Sequence, residues 1–217
     1  MLAKLISQAR ALAPLISVLV LRSWAAMKVR ETRQNRGPVV DAIHELAEAA
    51  GGSGDKEDAA PWCARAVVVA WYIAGLATFQ RVDPVVSRSG SVFYLLHSTF
   101  RKAPELVVMV NTPAAIEKLG DPVKAILPGD AMIRYDRVRG NEGVSFEELT
   151  RSMTTNAHTE LVQRVYPDGT IDTVGGNTDS DTGRDGNGVF VHRKRYSIHE
   201  ARVVAFVRPR FIPLELD

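Results

Sequence analysis

Cysteine is nearly missing from this chain: Cys63 is the only one among 217 residues. A single thiol excludes an intramolecular disulfide, so the fold does not rest on an oxidising compartment. Neither sign of charge dominates. The 27 basic and 25 acidic residues leave a net charge of +2, which gives no ground for a nucleic-acid partner and is merely compatible with an anionic polymer. An N-terminal apolar run long enough to span a membrane is absent too. The apolar stretch over 11–21 contains Pro14 and is closed by Arg22. It falls well short of the ~20 residues a spanning helix requires, so no stable membrane span is expected. There is no internal repeat, and no low-complexity segment beyond the Gly-Gly-Ser-Gly loop at 51–54.

What is present is enough apolar material for a core: 46% hydrophobic residues against 24% charged, the balance of an ordered globular chain of one domain. We read residues 1–22 as an amphipathic helical extension and 23–217 as the domain. Leu2, Leu5, Ile6, Ala9, Leu12 and Ala13 recur at helical spacing, which predicts a helix docked on the body or on a partner. Lys4 and Arg10 before the apolar stretch, with Ser23-Trp24-Ala25 after it, also outline a short signal peptide. Further helices are expected over 22–31, after the turn at Asn35-Arg36-Gly37-Pro38 (stripe Val39, Ile43, Leu46, Ala47), over 61–79, over 91–102 and from Pro113. The segment 61–79 is apolar all round, hence central and buried. Strands are expected over 131–135, 159–166, 170–174, 189–196 and 202–208, with Pro167-Asp168-Gly169 as a hairpin turn. Helices followed by an antiparallel meander define an α+β class, with the sheet packed on a core helix.

Cys63 opens that central helix. A lone cysteine is often only a small buried hydrophobe, but at a helix start it meets unpaired N–H groups and the positive end of the dipole, which favour a nucleophilic thiolate. A cysteine hydrolase also needs an imidazole and a polar group to orient it. His158 and Asn177 lie on one expected hairpin and meet that need, while Gly175 and Gly176 leave room for close approach. The polar loop over 179–187 has alternating oxygen donors but lacks the closing glutamate of a calcium loop. His44, His97, His192 and His199 show no metal spacing. No metal and no cofactor is expected, and His192-Arg193-Lys194-Arg195 reads as a solvated strand edge.

Five segments in order resemble one family. Pro61-Trp62-Cys63-Ala64 resembles the nucleophile segment of CHAP domains (cysteine, histidine-dependent amidohydrolases/peptidases) and of NlpC-type hydrolases. Pro128-Gly129-Asp130-Ala131-Met132-Ile133 resembles their turn and first strand, His158-Thr159-Glu160-Leu161-Val162 their histidine strand, and Val174-Gly175-Gly176-Asn177-Thr178 their asparagine turn. Arg30-Glu31, Asn35-Arg36-Gly37-Pro38 and Val40-Asp41 resemble the leader of phage-type cell-wall hydrolases. The resemblance implies a papain-like fold and a peptidoglycan amide as substrate. It makes Cys63 the nucleophile, His158 the general base and acid, and Asn177 the orienting group. Trp62, Arg65, Glu160, Gly175 and Gly176 would lie beside the substrate, Arg65 holding a peptide carboxylate or pairing with a surface acid. Synthesis in the cytoplasm and action at the cell wall are implied.

Three positions depart from the family pattern, one of them Arg65, which stands where a bulky apolar or aromatic residue is usual. Many members carry glutamate two residues before the asparagine, where Gly175 stands, and commonly glycine two residues after the histidine, where Glu160 stands. Glu160 is expected either to contact His158 or substrate, or to be an exposed strand residue. The departures leave two other functions open. One is a degenerate structural or binding part of a phage or injection particle, joined through the N-terminal helix. The other is a protein-directed cysteine amidase toxin.

Overall fold

The computed structural model describes residues 8–9, 11–51, 62–135, 157–178 and 186–214. Leu2, Leu5, Ile6, Pro61, the loop and charge cluster over 52–58, and residues 179–185 of the calcium-like loop fall outside the described residues. The described elements are α1 (Ala13–Ala26), α2 (Pro38–Ala49), α3 (Cys63–Ala77), β1 (Gln80–Val82), α4 (Val92–Lys102), a 3-10 turn (Pro104–Leu106), β2 (Val107–Met109), α5 (Pro113–Leu119), α6 (Pro122–Ala125), β3 (Ala131–Tyr135), β4 (Ala157–Val165), β5 (Thr170–Thr178), β6 (Gly188–Ser197), β7 (Val203–Val207) and β8 (Phe211–Pro213). The class is α+β. The main sheet has the order β2-β7-β3-β4-β5-β6 with every neighbouring pair antiparallel, and β1 pairs with β8 separately.

Strand alternation splits the interior in two. Ala131, Ile133 and Tyr135 of β3 join Leu161, Val174 and the helices in one core. Met132 joins Val162, Ile171, Ile198 and Phe206 in the other. Both faces of β3 are therefore buried, and Arg134 is its one charged residue. The first core surrounds α3, where Ala66, Val67, Val69, Ala70 and Trp71 are all inaccessible to solvent.

Two expectations about the N-terminal half change. α1 runs without a break through position 22, so the expected boundary falls inside a helix, and it ends at Ala26 instead of continuing to Glu31. Lys28 takes a left-handed φ of 56°, and the chain leaves as an extended segment. There Val189 donates to Val29 O (3.1 Å) and Glu31 N–H donates to Asn187 O (2.7 Å). This pairing with the start of β6 satisfies backbone groups that a longer helix would have used internally. The inward stripe of α1 is Ala13, Ser17, Val18 and Leu21, while Leu12, Leu15 and Leu19 are exposed. In α2, likewise, Val40 faces the core in place of Val39.

The Pro128-Gly129-Asp130 turn is where α1 and α3 meet the sheet. Gly129 has φ 90°, and a Cβ there would stand 2.6 Å from both Cβ and O of Pro14. Trp71 Nε1 donates to Gly129 O at 3.1 Å. Asp130 accepts from Leu127 N (2.9 Å) and from Arg208 Nε (3.0 Å) and Nη2 (2.8 Å). Gly129→Ala is expected to cost ~2–4 kcal/mol, combining left-handed strain with overpacking against α1. Chemical denaturation measures it, and an unchanged midpoint would remove this turn from the account of how the helices are held.

Candidate active site

Trp62 precedes the first turn of α3 without a side-chain cap, so the first amides of the helix lack intrahelical acceptors and present a positive end at Cys63. Cys63 itself is buried, 3% exposed. Its partner is His158 on β4, with which it is hydrogen-bonded side chain to side chain. On the other side of the ring, His158 Nε2 lies 3.1 Å from Glu160 Oε1. Nε2 being engaged there, Nδ1 is the nitrogen left for the sulfur.

Burial would suppress the imidazolium of His158. The charge and hydrogen bond of Cys63, followed by those of Glu160, outweigh it and raise the pKa from 6.5 to about 9. Glu160 shows the converse. Burial disfavours its charge, but the hydrogen bond and charge of His158, the charge of His192 and the hydroxyl of Thr173 bring it down to about 2. The two side chains thus form one buried ion pair, whose energy is shared between them.

Glu160 is completely enclosed, which corrects the exposed-strand alternative. Besides His158, its Oε2 accepts from Thr173 Oγ1 on β5 (2.5 Å), Tyr196 OH on β6 donates to Oε1 (3.3 Å), and His192 Nε2 stands 3.7 Å from Oε1. Burial, then the Glu160 charge, pushes the Tyr196 hydroxyl well above its ordinary value, so it remains a donor. His192, expected on a solvated strand edge, is buried, with Nε2 3.2 Å from Thr178 Oγ1. Thr173, His192 and Tyr196 had no role in the sequence reading. The cross-strand pair Thr173↔His192 is what the sequence signal would have been, had the register of β6 been known.

Asn177 is placed elsewhere. β5 shifts register between Gly175 and Thr178, and Asn177 adopts φ 54°, so the extended alternation that would have aimed it with Gly175 is broken. With the amide oriented by its neighbours, Nδ2 donates to Glu31 Oε1 (3.1 Å) and to Gly186 O (3.0 Å). The expectation that Asn177 orients the imidazole is therefore corrected: the group on His158 Nε2 is Glu160.

Glu31 is a further residue without an assigned role in the sequence reading. Its Oε1 also accepts from Trp62 Nε1 (2.6 Å), and its Oε2 accepts from Asn35 N (2.9 Å). It joins the extended leader to the start of α3 and the end of β5. Gly176 completes this junction, since a Cβ there would overlap Trp62 Cζ3 and stand 2.8 Å from Ala66 Cβ. Trp62→Phe keeps the ring and deletes the N–H. We expect a loss of ~1–3 kcal/mol in denaturant unfolding, from a charge-assisted bond and a less satisfied buried carboxylate.

Arg65 does not line the Cys63 side of the helix. It is buried, hydrogen-bonded to His44 Nδ1 and packed on Gly90. Burial, opposed by the carbonyl of Asn35 and helped by the charge of Arg65, lowers the pKa of His44, which keeps it a neutral acceptor. This pairing turns Arg65 away from Cys63 and corrects the expectation that it holds a substrate carboxylate. Among the described residues no cluster of His, Cys, Asp or Glu is arranged to hold a metal ion, and no helix is long and apolar enough to cross a membrane. No protein-family model, curated protein or solved structure matches the chain.

Proposed function

We propose that this chain is a papain-like cysteine amidohydrolase of the CHAP/NlpC kind, acting on an amide bond of peptidoglycan, within the peptide stem or at its junction with the glycan. The observation that carries the reading is the buried line from Cys63 through His158 to Glu160, together with the order of motifs along the chain. In the reaction, the Cys63 thiolate attacks the carbonyl carbon. The oxyanion is met by backbone N–H groups at the start of α3. The His158 imidazolium gives its proton to the departing amine as the C–N bond breaks, leaving a thioester. His158 then takes a proton from water, whose oxygen attacks the thioester, and the C–S bond breaks to release the acid and restore the thiolate beside the imidazolium.

Digestion of purified peptidoglycan by the purified chain, followed by mass spectrometry of the soluble products, tests this. New amines are expected, and their position separates endopeptidase from amidase; none would end the proposal.

One observation favours a second reading, a catalytically silent part of a phage or injection particle: Cys63 and His158 are only 3% and 1% exposed. Iodoacetamide separates the two. A working site is expected to be alkylated at Cys63 in the folded chain, and more slowly once His158 is replaced by Gln. A silent one stays unlabelled until the chain is denatured.

A further inference from the structure

Across strands β4 and β5, Leu161 pairs with Val174 and Val162 with Thr173, which brings position 160 opposite position 175. The space between them holds one side chain. A Cβ on Gly175 would overlap Glu160 Cγ and stand 3.1 Å from Glu160 Cβ and 3.2 Å from its carboxyl carbon. The space is also built for a carboxylate: Thr173 and Tyr196 donate to it, His192 flanks it, and His158 Nε2 stands at its mouth. All four groups point at the pocket from β4, β5 and β6, and none depends on which strand supplies the acid.

We infer that Glu160 is the positioning residue that holds the His158 imidazole toward Cys63, and that Gly175 is glycine because the same pocket accepts a carboxylate from either strand but not from both. The inference rests on the reading of Cys63 and His158 as a catalytic pair and deepens it. A carboxylate engaging Nε2 fixes the ring orientation and leaves Nδ1 for the thiol. As opposed neighbours on adjacent strands, positions 160 and 175 have Cβ sites only 3.1 Å apart, so a glutamate from either position reaches the same space and two side chains do not fit.

The test uses the full chain and two readouts, turnover on purified peptidoglycan and the NMR titration of the His158 ring, assigned by its loss in His158→Gln. Glu160→Gln retains shape and acceptor oxygen but removes the charge. It is expected to lower turnover ~100-fold or more and to move the His158 titration clearly below pH 9. Gly175→Glu alone forces two side chains into one space and is expected to yield little folded protein. The exchange variant, Glu160→Gly with Gly175→Glu, is expected to fold, to return the His158 titration toward pH 9, and to recover turnover to within about tenfold of the parent. An exchange variant that folds while His158 titrates as in Glu160→Gln overturns the proposal. Should the exchange variant not fold, Glu160→Gln decides alone, and an unmoved His158 titration overturns it equally. If the parent chain releases nothing from peptidoglycan while His158 responds as expected, the substrate reading fails and the positioning role stands.

Discussion

Cys63→Ala is expected to abolish peptidoglycan cleavage, lowering the rate by about four orders of magnitude or more, as removal of a covalent nucleophile does. The fold should survive. Cys63 is a small buried side chain at the first turn of α3, and truncation to alanine costs ~1–3 kcal/mol including the lost partnership with His158. His158 supplies an independent readout. The charge and hydrogen bond of Cys63 are the leading influences that lift the imidazole against its burial, so in the alanine variant the ring must titrate well below pH 9, visible by NMR without any substrate. Undiminished lysis by Cys63→Ala would falsify the hydrolase reading. A His158 titration that does not move would break the pairing on which the site is built.

The second large effect is in pH. The folded-state pKa of His158 is raised from 6.5 to about 9, so the stabilisation it brings is fully present below pH ~6.5 and is lost as pH rises toward 9. Its size is on the order of 3 kcal/mol, shared with Glu160 and Cys63 and not additional to their contributions. Glu160 has the opposite sign. Lowered to about 2, it stabilises above its unfolded value of 4.5, and that support is withdrawn as pH falls toward 2. Stability measured by denaturant should therefore decline on both sides of a plateau at about pH 5–6.5. Turnover should fall above pH ~9, where the imidazolium that protonates the leaving amine is lost. His158→Gln is expected to remove the alkaline decline in stability and to reduce turnover ~10³-fold or more. A chain whose stability rises steadily from pH 6.5 to 9 does not contain this pair.

Much of the site was legible before any coordinates. An apolar segment with a single charged residue, Arg65, identified α3 as the central helix, and Cys63 at its start follows from the same pattern. β3 was read with its observed ends, because Pro128-Gly129-Asp130 stops one element and a short apolar run begins the next. β1, β2, β8 and α6 escaped notice because each has only three or four residues, too few for a period to show. Their existence depends on neighbours, as when Val107 and Met109 of β2 find Val207 and Ala205 of β7.

The misplacements share a cause. Asn177 was aimed by strand alternation, and one positive φ with a register shift turned it to Glu31 and Gly186. The resemblance put Arg65 beside a substrate carboxylate or a surface acid, and its place in the sequence could not name the neighbour it meets, His44. Glu160 could be placed on the face of His158 by the period of two, yet its burial depends on Thr173 and Tyr196 from strands further along.

The sequence by itself determined the class, the buried helix, Cys63 at its start and His158 on a strand, because these follow from periodicity, composition and local stop signals, which act over a few residues. Tertiary structure alone decided which carboxylate meets the imidazole. That choice depends on the register between β4 and β5 and on the volume left by Gly175, and neither is encoded within any single segment.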